Sequence, residues 1–242
     1  MIKLAGIDLA WHGEKNPSAI AIGSLNGKSL KLERLEPAIF GMSEIVNLIE
    51  NEAEILGIAI DAPLVIENQT GQRACEKSLS RDYGARKASC HTSNLSLYPD
   101  ALSVNISTSL ASLGYQHLSS EQWQIECYPH PAIIECFGLP ERLAYKKGSV
   151  AEKKQGQSQL ARLILSLQNS TVLSLQIPEE INMYLSESYI QSLKGAALKS
   201  NEDALDSIIC LYIAGLYQLR ATSVTYGDKD IGYIWVPQVK CI

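Results

Sequence analysis

Residues 55–60 read Ile-Leu-Gly-Ile-Ala-Ile and run straight into Asp61-Ala62-Pro63. A continuous apolar run, in place of strict alternation, predicts a strand buried on both faces, as in the middle of a parallel sheet. Pro63 stops it. Upstream, residues 2–11 (Ile-Lys-Leu-Ala-Gly-Ile-Asp-Leu-Ala-Trp) predict a buried first strand. Residues 12–17 are turn chemistry, 18–25 a second strand, Asn26-Gly27 a hairpin turn, and 28–35 a third strand alternating leucine with charge. A helix over 42–53, capped by Ser43 or Gly41, links this meander to the buried strand. Right-handed crossovers then set 55–60 parallel to, and beside, 2–11. The class is α/β.

Downstream, the patterning predicts a helix over 71–83, a loop with a short helix over 84–109, and a strand over 123–128 ended by Pro129-His130-Pro131. Helices follow over 150–168, within 178–195 and, most strongly, over 202–220, packed against the sheet. Residues 222–226 and 231–236 form a terminal hairpin. With no repeat or linker, residues 1–242 read as a single domain carrying a helical insertion over roughly 138–200.

Composition narrows the function. The chain has 242 residues, 46% of them hydrophobic, and 21 Lys and Arg against 26 Asp and Glu, a net charge of -5. This excludes a disordered chain and a generally basic nucleic-acid coat, while leaving room for a local basic patch. No run approaches the roughly 18 apolar residues of a membrane span, and the first residues read as a strand rather than a signal peptide. A cytoplasmic protein with no membrane partner is expected. The six cysteines form no C-x-x-C pair and the four histidines are scattered. Reduced core thiols are expected, with neither a zinc site nor a disulfide framework.

The chemistry lies in the carboxylates. Asp8 interrupts an apolar strand, where a charge is costly unless it caps a turn, pairs with Lys15, or binds a cation. Asp61 closes the buried strand, as an Asx-turn or as a ligand. Glu126 sits in Ile125-Glu126-Cys127, as an edge charge or as a ligand. Asp203 and Asp206 lie three apart on one helix face. With Asn201 as N-cap, Asp203 falls in the first turn and offsets the helix dipole. Asp206 sits among Leu205, Ile208, Ile209 and Tyr212, with Glu202 one turn before it. Together these acids suit a hard divalent cation, Mg²⁺ or Mn²⁺, held by Asp8, Asp61, Glu126, Asp203 and Asp206. Two such ions about 3.5–4 Å apart activate water and stabilise the leaving oxygen in phosphodiester hydrolysis. The carboxylates of Asp8, Asp61 and at least one of Asp203 and Asp206 are expected to converge within about 6–8 Å. Without metal, the cluster should hold a proton or a Lys/Arg counter-ion.

The blocks GIDLAW (6–11), AIDAPL (59–64), R-x-C-E ending in YG (73–84), ECYPHPA (126–132), YKKG (145–148), EDALDSIIC (202–210) and GYIWVP (232–237) resemble domain-of-unknown-function family 429. That family is regarded as a predicted nuclease family of the ribonuclease H-like superfamily, related in fold to Holliday-junction resolvases. The resemblance implies a mixed five-stranded sheet of order 3-2-1-4-5 flanked by helices, and metal-bound acids. By position, Asp8 and Asp61 match the first-strand and fourth-strand acids, and Asp203 and Asp206 the acidic pair on the last helix. Glu126 falls in a motif of the family without an established role. Ala132 departs from the family's common His-Pro-Glu-like segment.

The leading expectation is thus a metal-dependent nuclease with Asp8, Asp61, Asp203 and Asp206 catalytic. Arg73, Lys77 and Arg81, spaced i, i+4, i+8 as one basic face, would hold phosphates with Arg86 and Lys87. Lys146, Lys147, Lys153 and Lys154 would add a second patch, and Tyr83 and Tyr98 could stack bases. The competing expectations are a small-molecule phosphoester hydrolase and a non-catalytic binding protein that keeps the fold. A sugar-kinase-like ATPase is disfavoured by the chain length and the lack of a glycine-rich phosphate loop.

Overall fold

The computed structural model describes residues 1–11, 16–52 and 54–242. The chain opens with β1 (Ile2–Asp8), β2 (Ser18–Asn26), β3 (Ser29–Ile39), α1 (Met42–Asn51) and β4 (Ile55–Asp61). Next come α2 (Ala74–Tyr83), α3 (Leu102–Ser112), β5 (Gln116–His117), β6 (Trp123–Glu126) and α4 (Pro129–Phe137). The remainder is α5 (Val150–Ser166), β7 (Ser174–Gln176), α6 (Glu179–Asn182), α7 (Glu187–Ser192), α8 (Gly195–Gln218), β8 (Ser223–Asp228) and β9 (Gly232–Pro237).

The sheet is mixed and seven-stranded, in the order β5-β6-β4-β1-β2-β3-β7, rather than five-stranded. The additional strands are short edge pieces with little side-chain signature. β1 pairs parallel with β4 and antiparallel with β2, as the crossover rule required. β6 adds parallel to β4. β7, from within the segment expected to be a helical insertion, pairs parallel with β3 and extends the sheet. β8 and β9 form a separate antiparallel hairpin. Tyr233 ties it to the sheet, its hydroxyl donating to Gln124 O and accepting from Glu126 N.

Side chains of the central strands alternate between two cores, the period-2 consequence of the pleat. Leu4 and Ala59 face a large core under α8, α4 and α5. Ala5, Ile7, Ile58 and Ile60 face a second core with Ile45 and Ile49 of α1 and Ile106 and Leu110 of α3. Helix α8 is buried from Asn201 to Leu216, and its buried residues include the acids Glu202, Asp203 and Asp206 as well as the apolar side chains that pack on the sheet. Its backbone lies close against β1 at Gly6, where a Cβ would fall 2.0 Å from Leu211 N. Gly57 similarly admits the Trp123 indole.

Several boundaries differ from expectation. Helix α8 begins at Gly195 with Lys194 as N-cap, so Asn201 is interior and does not cap. Asn201 instead donates to Gln157 Oε1 at 3.1 Å. Residues 102–112 form a full helix where the Ser/Asn/Thr composition suggested mostly loop. The prolines after β6 start α4 rather than merely ending a strand, because proline in the first turn lacks only an N–H that has no helical partner. The turn at 12–17 and the Asp8–Lys15 pairing fall wholly or partly outside the described residues.

Candidate active site

Strands β1, β4 and β6 run side by side in one direction and end in Asp8, Asp61 and Glu126. Crevices beyond the carboxyl ends of parallel strands are the usual binding position in α/β sheets. Here that position is a cavity of about 500 Å³, lined by Asp8, Asp61 and Glu126, by Asp203 of α8, and by the 142–147 loop.

Asp8 and Asp61 are cross-strand partners in register, so the pleat directs both to one face. Asp61 is 9% exposed. Burial pushes its carboxyl up to about 7, against the pull of Lys146. Asp8 is raised well above the ordinary carboxylate range, again chiefly by burial, with Asp206, Asp203 and Asp61 adding repulsion. Burial and neighbouring charge, rather than a hydrogen bond, are the dominant influences on both.

The helix acids are each matched by a lysine. Asp206 is fully buried, accepts from Tyr145 Oη at 2.6 Å, and has Lys146 Nζ 2.6 Å from its Oδ2. Burial works against the Lys146 charge, but Asp206, Tyr145, Asp8 and Asp61 together hold its pKa well above the ordinary value. Lys199 reaches along α8 to Glu202 at 2.9 Å and to Asp203. The expected counter-ions are therefore Lys146 and Lys199. Lys146, expected in a phosphate-binding patch, was not foreseen in this role because its partners come from three distant segments.

Glu126 departs from the metal-ligand expectation. The ladder sets it opposite Ile60, one residue out of step with Asp61, which sends it toward the other face of the sheet. There it meets Arg73 in a two-pronged contact of 2.5 and 2.9 Å and accepts from Leu64 N at 2.9 Å. Arg73 also donates to Glu76 at 2.8 Å. All three side chains are buried.

The expected basic face of α2 is therefore not one surface. Arg73 is the N-cap and is buried in that network, Lys77 is exposed away from the cavity lining, and Arg81 pairs with Asp82 at 3.1 Å. Arg86 holds Glu135 at 2.5 Å and Lys87 holds Glu141 at 2.7 Å. Lys154 Nζ donates to Gln191 O at 2.6 Å. Tyr83 is buried, whereas Tyr98 lines the cavity. Among the described residues, the Lys and Arg side chains that do line it are Arg73, Arg142, Lys146, Lys147 and Lys199. Sequence reading missed Arg142, Trp11, His91 and His130 as cavity residues; only the position of Trp11 just after the first strand hinted at one of them.

Among the described residues, no group of three or more His, Cys, Asp or Glu side chains is disposed to hold a metal ion. For a hard divalent cation the donor set divides. Asp8 and Asp61 are oxygen donors with no ion pair among the described residues, whereas Asp206, Asp203 and Glu126 are each matched by a protein cation. Asp8 and Asp61 suit one ion that keeps several waters.

A mixed sheet whose parallel strands end in carboxylates, under a buried acidic helix, defines an α/β protein with a charge-matched acidic cavity. Residues 6–230 match the family described as "Protein of unknown function (DUF429)", and the chain belongs to that family. No curated protein and no solved structure matches it. No helix among the described residues is long and apolar enough to cross a membrane.

Proposed function

We propose that this cavity is the active site of a divalent-metal-dependent phosphodiesterase of the ribonuclease H-like kind, acting on nucleic-acid or nucleotide phosphodiesters. The observation that carries the reading is the in-register pair Asp8 and Asp61 at the ends of parallel strands, with Asp203 lining the same cavity. Bound Mg²⁺ or Mn²⁺ would activate water and stabilise charge on the leaving oxygen. Asp8 and Asp61 would hold it. A two-ion arrangement draws on Asp203 and Asp206 as well, and requires Lys199 and Lys146 to give up their carboxylates. Lys146, Lys147 and Arg142 orient the phosphate by charge. Burial around Asp8 and Asp61 limits water and strengthens these interactions.

The test is Mn²⁺-dependent cleavage of a panel: single-stranded, duplex and branched DNA, RNA, an RNA–DNA hybrid and a chromogenic phosphodiester. Wild type should cleave at least one member and Asp8→Asn none. Equal rates for the two would assign the activity to a contaminant. No cleavage, together with no Mn²⁺ binding by calorimetry, would replace the hydrolase with a binding protein.

A further inference from the structure

Among the described residues, three of the five Lys and Arg side chains lining the cavity are consumed internally: Arg73 by Glu76 and Glu126, Lys146 by Asp206, and Lys199 by Glu202 and Asp203. Arg142 and Lys147 have no ion pair among the described residues. Two uncommitted cations at a cavity favour an anionic ligand.

The wall beside Asp61 is aromatic. Trp11 Nε1 donates to the Asp61 carbonyl at 3.3 Å, which fixes the indole at the end of β4. Tyr98 and His91 stand edge-to-face to it, with ring centroids 6.0 and 6.4 Å away. All three line the cavity, and none is fully buried. A third observation comes from the buried side. His130 is 6% exposed, lines the cavity, and has no hydrogen-bond partner at Nδ1 among the described residues. A buried polar atom left unpaired is unusual in a folded protein, so His130 offers the cavity a free hydrogen-bonding nitrogen.

We infer that the cavity binds a single nucleotide unit, its base packed on Trp11 and Tyr98 and its phosphate held by Arg142 and Lys147. A cavity of about 500 Å³ admits a small ligand or one splayed nucleotide, and excludes a base-paired one. Aromatic faces accept any base, so the site selects the nucleotide form before base identity. The shared chemistry comes from two sources, a free mononucleotide or the end of a single strand. The inference deepens the reading above and rests on it for the chemistry performed, though not for the binding.

The experiment uses the full chain in EDTA. AMP, adenosine, inorganic phosphate, a single-stranded trinucleotide and a duplex oligonucleotide are titrated by calorimetry and tryptophan fluorescence. Trp123 and Trp235 are buried, so quenching by a base reports on Trp11. AMP should bind about tenfold or more tighter than adenosine or phosphate and quench fluorescence. Trp11→Leu should abolish the quench and weaken AMP about tenfold while leaving phosphate binding unchanged. Lys147→Ala, at an exposed position, should weaken AMP and phosphate alike and leave adenosine unchanged. A trinucleotide tighter than AMP supports the single-strand source, and the reverse supports the free nucleotide. Duplex binding tighter than both overturns the inference. So does phosphate binding as tightly as AMP, or AMP binding unaltered by both variants. AMP binding without cleavage of any panel member removes the hydrolase and leaves the nucleotide site. Cleavage without nucleotide binding does the opposite.

Discussion

Lys146 Nζ lies 2.6 Å from Asp206 Oδ2, so a fully buried acid behind the cavity wall is neutralised by a cavity-lining lysine from a loop 60 residues upstream. If a divalent ion enters the cavity, it competes with this ammonium for the same negative field. Lys146→Met should therefore tighten Mn²⁺ binding about tenfold, because a nearby positive charge has gone. The metal-free protein should lose stability by about 3 kcal/mol, since Asp206 stays buried with only Tyr145 as partner. Calorimetry with Mn²⁺ and urea denaturation read the two effects. Unchanged Mn²⁺ affinity would show that the lysine and the ion do not share a site.

The Asp61 carboxyl is raised to about 7, with burial the main cause. A raised folded-state value means the folded protein keeps a proton that the unfolded chain has released. Stability therefore falls as pH rises from about 4 to about 7. The depth of this fall is at most ~4 kcal/mol. Asp8, raised in the same direction, steepens it. Urea denaturation in EDTA at pH 5 and pH 8 should show wild type more stable at the lower pH through these groups. Asp61→Asn should shrink that difference, and an unchanged difference would contradict the placement of Asp61.

Asp8→Asn keeps the shape and replaces a carboxyl whose anion is disfavoured by burial and by its acidic neighbours. It should abolish Mn²⁺-dependent cleavage and raise metal-free stability by about 1 kcal/mol, because repulsion from Asp61, Asp203 and Asp206 is relieved. A melting curve with and without Mn²⁺ distinguishes this from a folding defect. Stabilisation by Mn²⁺ should be seen for wild type and lost in the variant.

Glu126 and Arg73 form a buried ion pair, which engages both side chains within the protein. Glu126→Gln should destabilise the protein by about 3 kcal/mol, leaving Glu76 as the one carboxylate paired with Arg73 among the described residues. Mn²⁺ affinity in the protein that remains folded should change by less than twofold. A stable variant with lost Mn²⁺ binding would return Glu126 to the metal site.

Gly6→Ala probes the seat of α8. The new methyl has no room against the Leu211 backbone, so the helix must move off β1, at a cost of about 3 kcal/mol or more. Chemical denaturation measures this directly. A variant as stable as wild type would mean α8 does not press on β1 at that point.

The sequence by itself determined the strands that build the site. An apolar run of six residues closed by Asp61, and another broken by Asp8, permit few placements other than adjacent parallel strands, because period and handedness are local properties of the chain. Asp203 and Asp206 were legible because helical spacing is also local. The partners of these acids were not. Lys146 finds Asp206, and Arg73 finds Glu126, across 60 and 53 residues, and a charged residue carries no mark of the distant segment it will meet. The same holds for Glu126, whose side of the sheet depends on a one-residue register against Ile60. Only the packed sheet decided which carboxylates face the cavity and which lysines and arginines already neutralise their neighbours, because burial makes an unpaired charge costly and so selects partners by proximity in space.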